Sequence, residues 1–325
     1  MSKETMHDII PDIHGQADKL RQRLSALGYR ERSRAWRHPD PDRICVFLGD
    51  FIDRGPKNGE VIDIVRRMLD AGTARAIMGN HELNAIHYHM TDPRTGDGLR
   101  PRSKKNSLQH QSFLNEFPLG GAGTRDLIAW MKSLPLFLEF DTFRVVHACW
   151  DEARISELRA HTPNGILNDD QFIAAADPTT QLFDLVETAT KGPEYPLPGG
   201  WGFHDKDGTW RDQVRIRWWA QNATSWAEIA ASVPDLSDLP TAPPPKDILD
   251  RSYPQGAKPV FFGHYWLTGD PELQAPNALC LDYSAGKTGP LVSYQMDPAQ
   301  ETLSLQHLSG HENAQLPKQD HKERQ

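Results

Sequence analysis

Ile44-Cys45-Val46-Phe47-Leu48 runs without a charge into Gly49-Asp50-Phe51-Ile52-Asp53-Arg54-Gly55. The apolar run is rich in β-formers, as expected for a strand buried on both faces. The residues after it mix glycine with charge, so the chain leaves the sheet near Leu48 and carries Asp50 with it. On either side the same logic repeats. His7 to Pro11 is a short apolar run, and Ala17, Leu20, Leu24 and Leu27 then recur at helical spacing before Gly28. Val61, Ile64, Val65 and Met68 mark a second amphipathic helix closed by Gly72, and Ala74 to Met78 reads as a third strand. This β-α-β-α-β order implies a parallel sheet with helices packed on it.

Beyond Glu82 the pattern loosens. Thr91 to Asn106 is polar, contains proline and glycine, and is expected as a loop. Thr124 is placed to cap a helix carrying Leu127, Ile128 and Met131. Leu136 to Phe140 and Phe143 to Val146 read as paired strands across a turn at Asp141 and Thr142. Asp151 to Arg251 holds helical patterns, a Pro/Gly stretch and a proline-rich connector at Pro240 to Pro245, and is expected as an insertion over the core. Strands resume at Pro259 to Phe262, Ala278 to Leu281, Leu291 to Gln295 and Thr302 to Gln306. The organisation expected is one domain over 1–310, an insertion at about 151–251, and a polar tail over 311–325 that frays.

Composition narrows the classes of function. The chain has 325 residues, of which 38% are hydrophobic, enough for a sizeable core. Forty-four acidic against 36 basic residues give a formal net charge of −8. That sign argues against a long nucleic-acid backbone as the main partner, while leaving room for a small phosphorylated one. The three cysteines, Cys45, Cys149 and Cys280, have no metal-ligand spacing and read as reduced thiols. With neither a signal-peptide pattern nor an apolar stretch approaching the ~20 residues of a membrane span, a cytoplasmic protein with no membrane partner is expected.

The informative feature is positional. Asp12-Ile13-His14, Gly49-Asp50, Gly79-Asn80-His81, His147 and Gly263-His264 each follow directly on the end of an apolar run. Ligands of parallel sheets bind outside the carboxyl ends of strands, so residues far apart in sequence can converge there. Carboxylate, imidazole and amide oxygen together suit borderline divalent cations, manganese first, with iron or zinc as the other candidates. A carboxylate can bridge two such ions about 3.5–4 Å apart. Asp50, which follows the most buried strand, is the expected bridge.

These pieces, DIHG (Asp12 to Gly15), GDFIDRG (Gly49 to Gly55), GNHE (Gly79 to Glu82), His147 in VVHA, and Gly263-His264, resemble in kind and order the calcineurin-like metallophosphoesterases, and among them the bacterial phosphoprotein-phosphatase-like branch. The resemblance implies a four-layer α/β/β/α fold with a central β-sandwich. It implies that Asp12, His14 and Asp50 hold one metal, and that Asp50, Asn80, His147 and His264 hold the second. A hydroxide bridging the two ions would attack the phosphate ester, His81 would protonate the leaving group, Asp53 would orient His81, and Arg54 would grip phosphate oxygens. The chemistry is consistent: an imidazole near neutral pKa can donate a proton, a carboxylate beside it raises that pKa, and a guanidinium matches phosphate in a bidentate fork. A second phosphate-binding arginine is expected among Arg211, Arg215 and Arg217, with Arg217 preferred. Two departures from the family pattern are Pro11, where glycine is usual, and Ala-Cys-Trp after His147, which is expected to bring Trp150 near the site.

Blander readings compete at each position. Asp50 and Asp53 could merely shape a turn, His81 could be a metal ligand, and Arg54 could pair with Asp53. His87, His89, His110, His161 and His204 read as exposed polar residues. Five of the nine tryptophans fall between Trp201 and Trp226, where an internal core for the insertion is favoured over a stacking wall for a nucleobase. Phosphoproteins, nucleotides and dinucleoside polyphosphates are the substrate classes compatible with this core. The alternatives of another class are a metal-binding regulatory or scaffold protein without turnover, against which His81, Asp53 and Arg54 all argue, and a polynucleotide-end phosphatase, which needs a basic groove.

Overall fold

The computed structural model describes residues 5–205 and 208–311. Strands β1 (Met6–Ile10), β2 (Arg43–Phe47) and β3 (Ala74–Ala76) pair in parallel, with Ile9 opposite Val46 and Phe47 opposite Ala76. Helix α1 (Ala17–Ala26) connects β1 to a short hairpin at Arg30–Arg37, and α2 (Asn58–Asp70) connects β2 to β3. Both helices end where glycine was read as a stop, and Gly28 and Gly72 have positive φ. Further along come the antiparallel pair β4 (Phe137–Glu139) and β5 (Arg144–Val146). Residues 151–251 hold a small sheet of β6 (Glu194–Pro196), β7 (Gln213–Ile216) and β8 (Ala230–Ala231). The chain then returns as β9 (Val260–Phe262), β10 (Ala278–Cys280), β11 (Ser293–Met296) and β12 (Leu308–Ser309).

Two principal sheets result. One runs β12-β11-β1-β2-β3 and the other β10-β9-β5-β4, with β9 parallel to both β5 and β10. The period-two alternation of strands decides how they stack. Ile9, Val46, Val145, Phe261, Leu279 and Tyr294 form one buried cluster drawn from both sheets, which is the interior of a sandwich. Their neighbours Ile10, Cys45, Phe47, Val146, Val260 and Phe262 turn to the opposite faces. There they meet Leu20, Leu24, Val61 and Val65 of α1 and α2, and Ile155, Leu158, Leu185 and Val186 of the helices Glu152–His161 and Gln181–Lys191. The layers are helix, sheet, sheet, helix, as the motifs implied.

Several local expectations are corrected. The segment Thr91 to Asn106 is not wholly a loop: after α3 (Asn80–His89), Thr91 and Gly98 form a bridge, and helix α4 (Lys104–Gln109) begins inside the segment, with the Ser103 hydroxyl accepting from the Asn106 amide. Thr124 caps nothing; the helix Ala122–Met131 starts before it, and its hydroxyl donates to the Pro118 carbonyl. Thr302 to Gln306 is not a strand but leads into a 3-10 turn at Leu305–His307, because the buried side chains there, Leu303 and Leu308, are spaced for a turn between them. Within 151–251, Leu197, Phe203, Val214, Ile216, Trp226 and Ile229 build a separate apolar cluster, whereas Trp218 and Trp219 join the main core. Apart from its first residue, the tail expected at 311–325 lies outside the described residues. Among the described residues no helix is long and apolar enough to cross a membrane.

Candidate active site

The carboxyl ends of β1, β2, β3, β5 and β9 deliver Asp12 and His14, Asp50, Asn80 and His81, His147 and His264 to one place. Helix α3 (Asn80–His89) starts there, and the carboxylate of Glu82, in its first turn, accepts from the backbone amides of Gly79, Asp50 and Phe51 at 2.8–3.0 Å. One buried carboxylate thus ties the GDFIDRG and GNHE segments together. The backbone at the site is also unusual. His14, Asp50, Asp53, Arg54, His264 and Trp266 all have φ between 49° and 72°, a region that side chains other than glycine enter at a cost. Two glycines make room: a Cβ at Gly79 would run into the Asp50 carboxylate, and one at Gly263 into that of Asp12.

All six expected ligands converge. His14 Nε2 lies 3.5 Å from Asp50 Oδ2, and His147 Nε2 lies 3.4 Å from Asp50 Oδ1 and 3.9 Å from Asp12 Oδ1. Asn80 Oδ1 is 3.1 Å from His147 Nε2 and 2.8 Å from His264 Nδ1. Asp50 touches members of both groups, the position expected of a bridge. Two of the imidazoles are oriented from behind: His14 Nδ1 donates to the Ile52 carbonyl at 2.9 Å and His147 Nδ1 to the Leu48 carbonyl at 2.7 Å. A carbonyl only accepts, so each ring carries a proton on Nδ1 and turns Nε2 toward the cluster, where, against burial, the charge of Asp50 and its hydrogen bond hold the His147 imidazole up at about 10.

That arrangement is uncomfortable without a cation. Nε2 of His14 and of His264 are buried with no hydrogen-bond partner. Burial, the negative charge of Asp282 and that of Asp50 push the Asp12 carboxyl well above its usual range. Burial holds His14 down at about 3, so it is neutral beside Asp50. Lone pairs and carboxylates facing one another in a buried space repel, and divalent cations would supply the missing partner. The donor set fits oxygen- and nitrogen-ligated ions.

At the edge of the cluster, His81 Nδ1 donates to Asp53 Oδ2 at 2.6 Å, while its backbone amide donates to Asp50 Oδ1 at 2.9 Å. Arg54 is exposed and its guanidinium lies 4.0 Å above the ring of Trp266, which in turn stacks on His14 at 5.3 Å. Cation–π contact holds such an arginine without neutralising it.

A cavity of about 490 Å³ opens beside His264, lined by Phe203, Trp210, Arg211, Arg215, Tyr265 and Trp266, among others. Arg217, the arginine preferred from sequence, is not there. It lines a separate cavity of about 20 Å³ with Arg154, Tyr195 and Arg251. The strand β7 explains the difference: Val214 and Ile216 face the insertion's core, so Arg215 between them faces the cavity, where it pairs with Glu194 at 2.9 Å and its charge helps lower the His264 imidazole. The tryptophans divide. Trp218, Trp219 and Trp226 are buried, whereas Trp201 and Trp210 are 40% and 54% exposed. Trp150 is buried against Phe137 and Arg144 and does not line the cleft.

Sequence reasoning missed three residues. Asp282 follows the end of β10 just as the other ligands follow theirs, and its carboxylate accepts from the amides of Trp266 and Ser284 at 2.8 and 2.9 Å. The strand-end rule would have found it. Trp266, two residues after His264, carried no pattern of its own. His110 was read as exposed, yet it is 1% exposed and its Nδ1 donates to Asp53 Oδ1 at 2.8 Å. His87 is likewise buried, and burial lowers its imidazole to about 4. His161 and His204 are exposed as expected.

With the geometry established, comparison with known proteins identifies the class. A profile described as calcineurin-like phosphoesterase matches residues 8–264, and the chain belongs to that family. An asymmetrical bis(5'-nucleosyl)-tetraphosphatase of Halalkalibacterium halodurans is 41% identical over 83 residues, 26% of this chain and 33% of that protein, so the match spans a third of the relative's length. A symmetrical bis(5'-nucleosyl)-tetraphosphatase of Vibrio cholerae is 25% identical over 276 residues, 79% of this chain and 83% of that one. A serine/threonine phosphatase structure from Saccharomyces cerevisiae shares the fold with a TM-score of 0.51 at 14% identity, covering 94% of this chain and 79% of that one.

Proposed function

We propose that the chain is a metal-dependent phosphoesterase whose metal ligands are Asp12, His14, Asp50, Asn80, His147 and His264, with His81 as general acid. The observation that carries this is the convergence of buried carboxylates and imidazoles, with Nε2 of His14 lacking a partner beside Asp50, next to a His81–Asp53 pair at the rim of the same cluster. Two cations bound there, manganese being our first choice, would supply Lewis-acid activation of water and neutralise charge on the phosphoryl group. The protein's own residues do the rest. Asp53 accepts a hydrogen bond from the Nδ1–H of His81, which leaves Nε2 as the nitrogen whose proton goes to the departing oxygen. Arg54, exposed over Trp266, and Arg215 in the cavity wall are placed to hold phosphate oxygens.

For substrate, we favour nucleotide-like phosphates over phosphoproteins. The relatives' names include bis(5'-nucleosyl)-tetraphosphatases, and the cavity beside His264 joins arginines to the exposed ring of Trp210. We read residues 1–310 as one domain in which the insertion at about 151–251 walls that cavity. Three free, buried cysteines support a reducing, cytoplasmic setting.

The test is phosphate release by Mn²⁺-loaded protein from dinucleoside polyphosphates, nucleotides and a phosphopeptide. His81→Ala is expected to lower kcat by about 10²–10⁴, the usual worth of general acid catalysis, with both metals still bound. No release from any substrate would sink the proposal, and full activity in His81→Ala would remove the acid from it.

A further inference from the structure

Asp53 is 2% exposed, and both of its carboxylate oxygens are taken by imidazoles. His81 Nδ1 donates to Oδ2 at 2.6 Å and His110 Nδ1 to Oδ1 at 2.8 Å. His110 stands at the joint between α4 and helix α5 (Gln111–Glu116), a place where a polar residue would ordinarily face water. Here the ring is buried instead, stacked on Phe113 at 4.8 Å with 17° between the planes. Its other nitrogen, Nε2, lies 3.2 Å from Nε2 of His89, in the last turn of the helix that begins at Asn80 and His81.

The tautomers are fixed by what each partner can do. An ionised carboxylate only accepts, so His81 and His110 both carry their protons on Nδ1. The 3.2 Å contact between Nε2 of His110 and Nε2 of His89 then joins the N–H of one ring to the lone pair of the other. The segment is also held in place at both ends. Tyr88 and Ser107 hydroxyls pair at 3.0 Å between α3 and α4. The Glu116 carboxylate, at the end of α5, accepts from the Asn58 and Gly59 amides at the start of α2 at 2.7 and 2.9 Å.

We infer that His110, supported by His89, is a positioning residue for the reaction: it locks the Asp53 carboxylate in the rotamer that aims His81 at the leaving group. A carboxylate with one partner can rotate between equivalent oxygens; one gripped on both oxygens cannot. The two imidazole bonds also hold the Asp53 carboxyl at about 2 against the upward pull of burial, so it remains the acceptor throughout. The inference rests on His81 acting as the acid.

Two variants separate positioning from mere packing. His110→Phe keeps a ring on Phe113 but removes both hydrogen bonds, whereas His110→Asn restores a donor toward Asp53. We expect His110→Phe to lower kcat at least tenfold on an alkyl or nucleoside phosphate, whose leaving group needs a proton. On p-nitrophenyl phosphate, whose leaving group does not, the loss should be less than threefold, with KM little changed on both. His110→Asn should recover most of the loss. Equal losses on both substrates, or no recovery in His110→Asn, would overturn the inference. His81→Asn on the same pair of substrates tests the foundation: if it shows no dependence on leaving group, His81 is not the acid, which is a different failure. A readout independent of turnover is the ¹⁵N-histidine NMR spectrum of the folded protein. The His81 Nδ1–H signal should move or broaden in His110→Phe; an unmoved signal would also overturn the inference.

Discussion

His81 carries opposing influences that can be separated by pH. Burial pulls its imidazole down, but the charge of Asp50 and the hydrogen bond to Asp53 more than offset this, so its pKa lies above the ordinary 6.5. Cations at Asp50 would cancel much of that residue's pull and leave Asp53 as the main support. An acid works only while protonated, so kcat on a poor leaving group should be full below the raised pKa and fall as pH rises through it. Asp53→Asn removes the supporting carboxylate, and the falling limb should move to lower pH by about one unit, as expected for losing one adjacent opposite charge. A pH–kcat profile of the two proteins checks this. A limb that does not move, or moves upward, would show that Asp53 does not support the acid.

At the scale of elements, the strand ends were legible and the connections were not. Asp12, Asp50, Asn80, His147 and His264 could be found because an apolar run, which marks a buried strand, also fixes where that strand stops. His110 could not, because its burial is decided by α4 and α5 folding back on α3, a tertiary event with no local periodicity. Arg215 and Arg217 share the parity of one strand, and sequence had no means of telling which one the cavity admits. The structure does: β7 ends at Ile216, and Arg217 turns to the other cavity. Arg215→Ala should therefore lower kcat/KM by about 10–100-fold, the loss of a charged hydrogen bond worth roughly 1.5–3 kcal/mol. Arg217→Ala should stay within about twofold of wild type, as a surface change does. Steady-state kinetics on a nucleotide substrate decides between them, and the reverse order would return the assignment to Arg217.

For the whole molecule, the decisive fact is that the ligand cluster belongs to both sheets of the sandwich. Asp12, Asp50 and Asn80 come from the sheet of β1, β2 and β3, while His147 and His264 come from that of β5 and β9. Unfolding separates these strands, so cations held between them would bind the native state alone and stabilise it by mass action. At a free Mn²⁺ concentration one hundred times Kd the gain is about 2.7 kcal/mol for one site. At about 2.1 cal/mol/K of unfolding entropy per residue, a chain of 325 residues converts each kcal/mol into roughly 1.5 °C. Adding Mn²⁺ to chelator-treated protein should thus raise Tm by about 4 °C for each site filled to that degree, and the shift should grow with concentration. Magnesium, which prefers octahedral oxygen ligands and keeps its waters, should do less in a site with three imidazoles. Asp50→Asn weakens both groups of ligands at once, so its Tm should respond little to Mn²⁺. A full-sized Mn²⁺ shift in Asp50→Asn would place the binding elsewhere, and no shift in the wild type would mean that the cluster does not hold this ion.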